Sequence, residues 1–388
     1  MFAIIKKTNL AISRLSIISF VRALATQPGI QSTSRVSFSP IPAADLKQRD
    51  LNPLAGRKYL PGSWSQTFPK YLANPREDFP YAVQLENPDN VSFSELGKLF
   101  RKTLDTNLPR ASAVLLRGTG IQNLQNFKDL VQALDYKATN YKGGTGNREV
   151  LDPLISVSTA DPMEFNIELH NEMADTPYFN AHKAIFCCLQ PPGPNCGGLT
   201  PISKNSNILA SLDPEVVEII KKRKIRYLRY VPDASEKQYA SWQQSFMTDD
   251  KKVVEDFLRK GGISNYAWTD KNQLTYWYTL DAFIPHPVTG KPIWFNQIEN
   301  HHYTYLSESP MYEGVDLPPN RYPFHTQYGD GEEIDPEIID HVRSADWSNA
   351  VGFDWKKGDV IVIDNLAAKH ARLSYTGPRK LLVSLTSN

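Results

Sequence analysis

Cysteine is scarce. The 388 residues hold three, Cys187, Cys188 and Cys196, and none precedes them. Three cannot all pair with one another, and their spacing fits neither a disulfide framework nor a zinc knuckle, so a reducing compartment is favoured. An excess of charge of one sign is also missing. With 43 basic against 42 acidic residues the formal net charge is +1, and no nucleic-acid footprint is visible. No His-Glu-x-x-His helix motif occurs, which removes the commonest helical zinc-protease pattern. The loop Gly143-Gly144-Thr145-Gly146 has no following Lys-Ser/Thr and no preceding strand, so it is not read as a phosphate cradle.

Acidic residues are absent from the first 44 positions, which carry Lys6, Lys7, Arg14, Arg22 and Arg35 among Ser, Ala and Ile. That composition is expected of a mitochondrial presequence, disordered or partly helical. Ala23-Leu24-Ala25 resembles a secretory cleavage site, but Arg22 interrupts the apolar run before it. The apolar stretch Leu15 to Val21 is far too short to span a bilayer. Mitochondrial localisation is therefore expected, with a cytoplasmic location as the alternative.

What is present suits a soluble, loop-rich β protein: 41% hydrophobic and 22% charged residues, 28 Pro, 18 Tyr, 17 Phe and 7 Trp. Residues 45–80 are an extension without sustained periodicity, and no linker or repeat divides residues 81–388. Helical spacing predicts helices over Ser92 to Leu104, Asn126 to Leu134, Pro214 to Lys222 and up to Phe257–Gly262. Strands are expected at Ala82–Leu85, Ala113–Gly118, Ala184–Leu189, Pro292–Asn296, Val360–Ile363 and Lys380–Leu385. The basic run Lys221 to Tyr230 reads as a solvated helix end feeding a strand. A mainly β chain with peripheral helices, arranged as a double-sheet jelly roll, is the expected fold class.

In Glu168-Leu169-His170-Asn171-Glu172, a histidine and a carboxylate two residues apart point the same way on extended backbone. A distant histidine, His370, follows the apolar run Val360 to Ile363. Two imidazoles and one carboxylate with open positions suit Fe(II); zinc is the alternative. His301, His302 and His325 lie in polar, loop-like surroundings and are weaker third ligands. Arg379, nine residues past His370 at the start of the last strand, is a cation able to hold a distal carboxylate.

These residues carry a family resemblance. His170-Asn171-Glu172-Met173, Gly197-Gly198-Leu199-Thr200, His286 through Gln297, Trp355 to Asp359, and Asp364-Asn365 with His370 through Arg379 occur in one order. Over roughly residues 80–388 the chain resembles the taurine dioxygenase-like (TauD/TfdA) Fe(II)/2-oxoglutarate-dependent oxygenases. It is most similar to the clavaminate synthase-like branch, which has glutamate where taurine dioxygenase has aspartate. The resemblance implies a distorted double-stranded β-helix with His170, Glu172 and His370 as iron ligands. It implies a 2-oxoglutarate contact from Thr200, and dioxygen as second cosubstrate. The cosubstrate arginine departs from the taurine dioxygenase position, where Ser384 stands; Arg379 is expected to take the role, with Arg372 the alternative. Arg148 and Asn296 are candidate substrate contacts. The substrate is expected to be small, such as an amino acid or another carboxylic or sulfonic acid, and hydroxylation is the expected outcome. The rival readings are a cupin-like isomerase or hydrolase with a non-redox metal, and an inactive binding protein.

Overall fold

Buried apolar strands and two flanking layers place the site. The structure is a computed structural model that describes residues 36–139, 148–178, 181–236, 240–287 and 290–387. The Gly143–Gly146 loop and most of the expected presequence lie outside the described residues. In the first half, the strands are β1 (Ser37–Pro40), β2 (Tyr81–Glu86), β3 (Ala113–Arg117), β4 (Val150–Asp152), β5 (Ile155–Val157), β6 (Ile167–His170), β7 (Lys183–Gln190) and β8 (Ile202–Lys204), with helices α1 (Phe93–Ala111) and α2 (Leu124–Ala133). Helices α3 (Asn205–Ser211), α4 (Pro214–Arg223), α5 (Trp242–Phe246) and α6 (Lys251–Lys260) then alternate with β9 (Ile225–Val231), β10 (Asn265–Trp268) and β11 (Leu274–Leu280). The chain closes with β12 (Phe283–Pro285), β13 (Pro292–Trp294), α7 (Tyr303–Ser307), β14 (Phe324–Tyr328), α8 (Pro336–Ser348), β15 (Val360–Asp364), β16 (Ala368–Arg372) and β17 (Lys380–Thr386). The architecture is mixed α/β: the expectation of a mainly β chain gives way because helices interrupt the strands throughout the second half.

An eight-stranded sheet runs β1-β2-β3-β15-β7-β17-β5-β4, antiparallel except for the parallel pair β2–β3. Its side chains alternate between two cores, as strand periodicity requires. Val114, Leu116, Val360, Val362 and Leu382 face one core, where Leu96, Phe100 and Leu104 of α1 meet Phe127 and Leu130 of α2. Leu115, Phe186, Ile361, Ile363 and Val383 face the other, against Ile202 of β8 and Ala368 of β16. The second core thus lies between the large sheet and the three-stranded sheet β6-β16-β8.

Helix α1 starts at a capping box, in which Ser92 Oγ accepts from Glu95 N (3.2 Å) and Glu95 Oε2 accepts from Ser92 N (3.0 Å). It runs past the expected end at Leu104 because Leu108 and Ala111 continue the buried stripe. Gly97 permits its close approach to α2; a Cβ there would lie 2.6 Å from the Leu130 carbonyl oxygen.

Residues 37–40, within the stretch read as a leader, form β1 and pair with β2. Residues 45–80 are rich in turns, yet Leu54, Leu60, Phe68 and Leu72 are buried with Leu169, Trp347, Ala371 and Leu373. This extension therefore packs on residues of the strands that carry the histidines. A four-stranded antiparallel sheet, β10-β11-β9-β14, packs with α4, α5, α6 and α8 around a third core. The basic run resolves as the end of α4 feeding β9, whose residues alternate between buried and partly buried. No helix among the described residues is long and apolar enough to cross a membrane.

Candidate active site

The antiparallel ladder between β6 and β16 sets His170 directly opposite His370. Two chain segments 200 residues apart in sequence therefore present imidazoles to one point, their ring centroids 4.3 Å apart. Glu172 follows where the chain leaves β6 through a turn with Met173 at φ 60°. Glu172 Oε1 lies 3.2 Å from His370 Nε2 and 3.9 Å from His170 Nε2. One ligand atom from each residue falls within a single 4.8 Å cluster.

Three buried asparagines hold the ladder and turn together. Asn365 Oδ1 accepts from Glu172 N (2.6 Å), while Asn365 Nδ2 donates to the carbonyls of Glu172 (2.9 Å) and Ala181 (2.6 Å). Asn171 Nδ2 donates to the carbonyls of Asn365 (2.6 Å) and Ala368 (3.0 Å). Asn205 Nδ2 ties this pair to Trp294 O (2.8 Å) and Leu366 O (3.0 Å). A side-chain amide can bridge two main-chain segments that no ladder joins, which is its use here.

Hydrogen bonding orients the ligands. His170 Nδ1 is 2.8 Å from the Glu168 carbonyl, so Nδ1 carries the proton and Nε2 turns its lone pair to the cluster. Burial, then the neighbouring His370, lowers the His170 pKa to about 3 and keeps it neutral, the ligating form. Burial pushes Glu172 up, but the Arg148 guanidinium, which donates to Oε1, and His370 outweigh it and hold the carboxyl well below the usual range. Glu172 Oε2 and His370 Nδ1 are buried without a hydrogen-bond partner. Two imidazoles beside an ionised, under-satisfied carboxylate fit a divalent cation, which would meet the carboxylate oxygen that the protein leaves unanswered.

The triad opens into a concave cleft, the kind of place where small molecules bind. Its lining includes the triad and Arg148, Arg372, Arg379, Asp161 and Thr200. Three guanidinium groups against two carboxylates give it a cationic bias that suits anionic ligands.

Arg379 and Thr200 meet in this cleft. Arg379 Nε donates to Gly198 O (2.9 Å) and Nη2 to Thr200 Oγ1 (3.1 Å). Gly198, at φ 76°, leaves room for this: a Cβ would come 3.0 Å from Arg379 Cδ. Thr200 Oγ1 also accepts from Trp355 Nε1 (3.0 Å). With both lone pairs engaged, the hydroxyl hydrogen is available to donate to an incoming acceptor. Burial, then Arg372, lowers the Arg379 pKa to about 10, so it remains a cation at neutral pH.

Arg372 stands differently. Its Nη1 donates to Asp161 O (3.0 Å) and its Nη2 to Pro162 O (2.6 Å) and Phe165 O (2.9 Å). These carbonyls orient its guanidinium toward the 161–165 loop. Asn296, expected to face substrate, is fully buried and not part of the cleft lining. Its Nδ2 donates to Ala282 O (3.1 Å) and its Oδ1 accepts from Ile298 N (3.2 Å), which shapes the backbone after β13. The next residues, Gln297, Asn300 and His301, line the cleft instead, and the sequence reading did not single out the first two. Their nearest signal was the mostly polar run Asn296 to His302, which begins at the end of the segment His286 through Gln297 already matched to the family.

A family described as "Taurine catabolism dioxygenase TauD, TfdA family" matches residues 76–385. The chain is 32% identical over 290 residues to the dapdiamide synthesis protein DdaC of Enterobacter agglomerans, covering 73% of this chain and 84% of that protein. A clavaminate synthase-like protein of Arabidopsis thaliana is 26% identical over 328 residues, covering 83% and 94%. Among solved structures, PvcB of Pseudomonas aeruginosa is similar with a TM-score of 0.46 and 15% identity, covering 93% of this chain and 95% of that one.

Proposed function

We propose a division of labour for the site of a chain that belongs to the taurine catabolism dioxygenase TauD, TfdA family. The chain is an Fe(II)- and 2-oxoglutarate-dependent dioxygenase acting on a small organic substrate. In our reading His170 Nε2, Glu172 and His370 Nε2 hold the iron. Arg379 and Thr200 hold 2-oxoglutarate, and Arg148, Gln297 and Asn300 face the substrate. The observation that carries this is the convergence of three ligand atoms beside a buried carboxylate oxygen with no donor.

When bound, Fe(II) and 2-oxoglutarate supply an oxidative decarboxylation with dioxygen that releases succinate and carbon dioxide and oxidises the substrate, by default through hydroxylation. The protein's residues do the positioning. The Glu168 carbonyl fixes the His170 tautomer, and Asn365 fixes the backbone of Glu172. Arg379 offers a charge-assisted contact to the distal carboxylate of the cosubstrate, and the free Thr200 hydrogen adds a second donor. Phe186, whose ring centroid lies 4.9 Å from that of His370 in an edge-on arrangement, screens that ligand from water.

The cationic bias of the cleft supports an amino acid or other small carboxylic or sulfonic acid as substrate. Glu172 in place of aspartate, together with the Arabidopsis relative, supports the clavaminate synthase-like branch. We read the facing eight- and three-stranded sheets as the distorted double-stranded β-helix of that family, and the acid-free N-terminal stretch as a mitochondrial address. His170→Ala and His370→Ala are each expected to abolish 2-oxoglutarate consumption measured without primary substrate. Turnover retained in either variant would remove that residue from the triad.

A further inference from the structure

We propose that His302, His325 and Glu333 form a second metal site, distinct from the first triad, that takes a late first-row divalent cation of the Zn(II) type. The residues come from separate elements. His302 precedes α7, His325 lies on β14, and Glu333 follows β14 in a segment bridged back to Gln327. One ligand atom from each falls within a 4.8 Å cluster. Both imidazoles are 1% exposed, with ring centroids 4.9 Å apart, whereas the Glu333 side chain is 56% exposed. The cluster is thus walled by protein on the histidine side and reached from solvent on the carboxylate side.

Neighbouring groups orient the donors. His302 Nδ1 lies 2.9 Å from Thr304 Oγ1, which also accepts from Arg343 Nη2 at 2.8 Å. His302 Nε2 is buried and has no hydrogen-bond partner. A hydroxyl that accepts Nδ1–H leaves the Nε2 lone pair for a cation, the outer-shell arrangement that metal-binding histidines commonly have. On the other side, Gln327 Nε2 donates to Glu333 Oε1 (2.6 Å), and Oε2 lies 2.7 Å from His325 Nε2. Two imidazole nitrogens and one carboxylate favour Zn(II), Co(II) or Ni(II) over Mg(II) or Ca(II), which take oxygen ligands. Asn300 and His301, which line the catalytic cleft, immediately precede His302. An ion here would fasten α7 to β14 and with them that wall of the cleft.

The experiment uses the untagged full chain, stripped of metal, with ZnCl2 competed against a chromophoric chelator. In the otherwise intact chain, Glu333→Gln is expected to lower Zn(II) uptake by one equivalent, whatever the first triad holds. The double variant His170→Ala/His370→Ala is expected to keep one equivalent, which adding His325→Gln removes. Zn(II) at a hundredfold excess over its Kd should raise the thermal midpoint of the double variant by roughly 3 °C. Adding Glu333→Gln, at a solvent-facing side chain, should abolish that shift. An unchanged equivalent count in Glu333→Gln and His325→Gln overturns the proposal. So does a folded double variant that takes up no Zn(II).

Discussion

Replacing Lys369 by methionine is expected to cost about 3–5 kcal/mol of stability at pH 8, the usual penalty for breaking a buried ion pair from one side. Lys369 precedes His370 on β16 and points away from the cleft. Its Nζ lies 2.6 Å from Glu299 Oε1 and 2.8 Å from Asp346 Oδ2, and none of the three side chains is more than 1% exposed. One ammonium cannot neutralise two carboxylates, so one of them keeps its proton. Burial pushes Asp346 well above the carboxylate range despite Lys369, with Glu299 adding to the push. Burial also pushes Glu299 up, but Lys369 more than offsets it and holds Glu299 low. The cluster is therefore neutral: an ammonium, an ionised Glu299 and a protonated Asp346. Methionine preserves the stem packing of lysine, so the loss is electrostatic rather than a cavity effect. In the wild type the depressed Glu299 contributes stability above its unfolded value of about 4.3, and that contribution is lost as pH falls through its folded value. In the variant Glu299 loses its cation and its folded pKa rises above the unfolded one, so stability is present at low pH and is lost as pH rises. The gap between the two proteins should narrow by up to about 1.4 kcal/mol per pH unit on going from pH 8 toward pH 5. Urea denaturation midpoints at several pH values read this directly. A loss below about 1 kcal/mol at pH 8, or one independent of pH, would refute the charge assignment.

Arg379→Ala should raise the Michaelis constant for 2-oxoglutarate at least tenfold, about 1.4 kcal/mol of binding, in steady-state kinetics. Arg372→Ala should chiefly lower the urea midpoint, because it frees three carbonyls of the 161–165 loop; the reverse pattern would exchange the two roles. Ser92→Ala removes the Oγ that accepts from Glu95 N in the capping box at α1, leaving the backbone half in place, and should cost about 1 kcal/mol in the same denaturation assay. A fusion of residues 1–44 to a fluorescent reporter is expected to reach mitochondria, and a diffuse or secreted signal would count against the leader reading.

Much of the candidate site was legible because its signals are local. His170 and Glu172 sit two apart, Thr200 follows a double glycine, and Arg379 opens a strand. Their juxtaposition was not legible, since the pairing of His170 with His370 is a contact between segments 200 residues apart. Asn296 was misplaced for a related reason: past the end of β13, alternation no longer says which way a side chain points, and its amide turns back to Ala282. The helix α8 went unread although Asp335-Pro336-Glu337 is a strong start, with Asp335 accepting from Glu337 N and Pro336 in the first turn. Its interior is mostly buried, so the polar face that marks an amphipathic helix is short. Residues 45–80 show no sustained periodicity because their apolar side chains follow turns, yet they pack against Leu169 and Ala371 beside the two histidines.

The measurement closest to the central claim is anaerobic calorimetric titration of 2-oxoglutarate into the metal-free chain and into the chain loaded with Fe(II). If His170, Glu172 and His370 present iron to the cosubstrate, Fe(II) should tighten 2-oxoglutarate binding by at least about tenfold. That gain should vanish in His370→Ala, while Arg379→Ala should weaken binding with and without iron. Equal affinity in the presence and absence of Fe(II), or a gain that survives His370→Ala, would contradict the account.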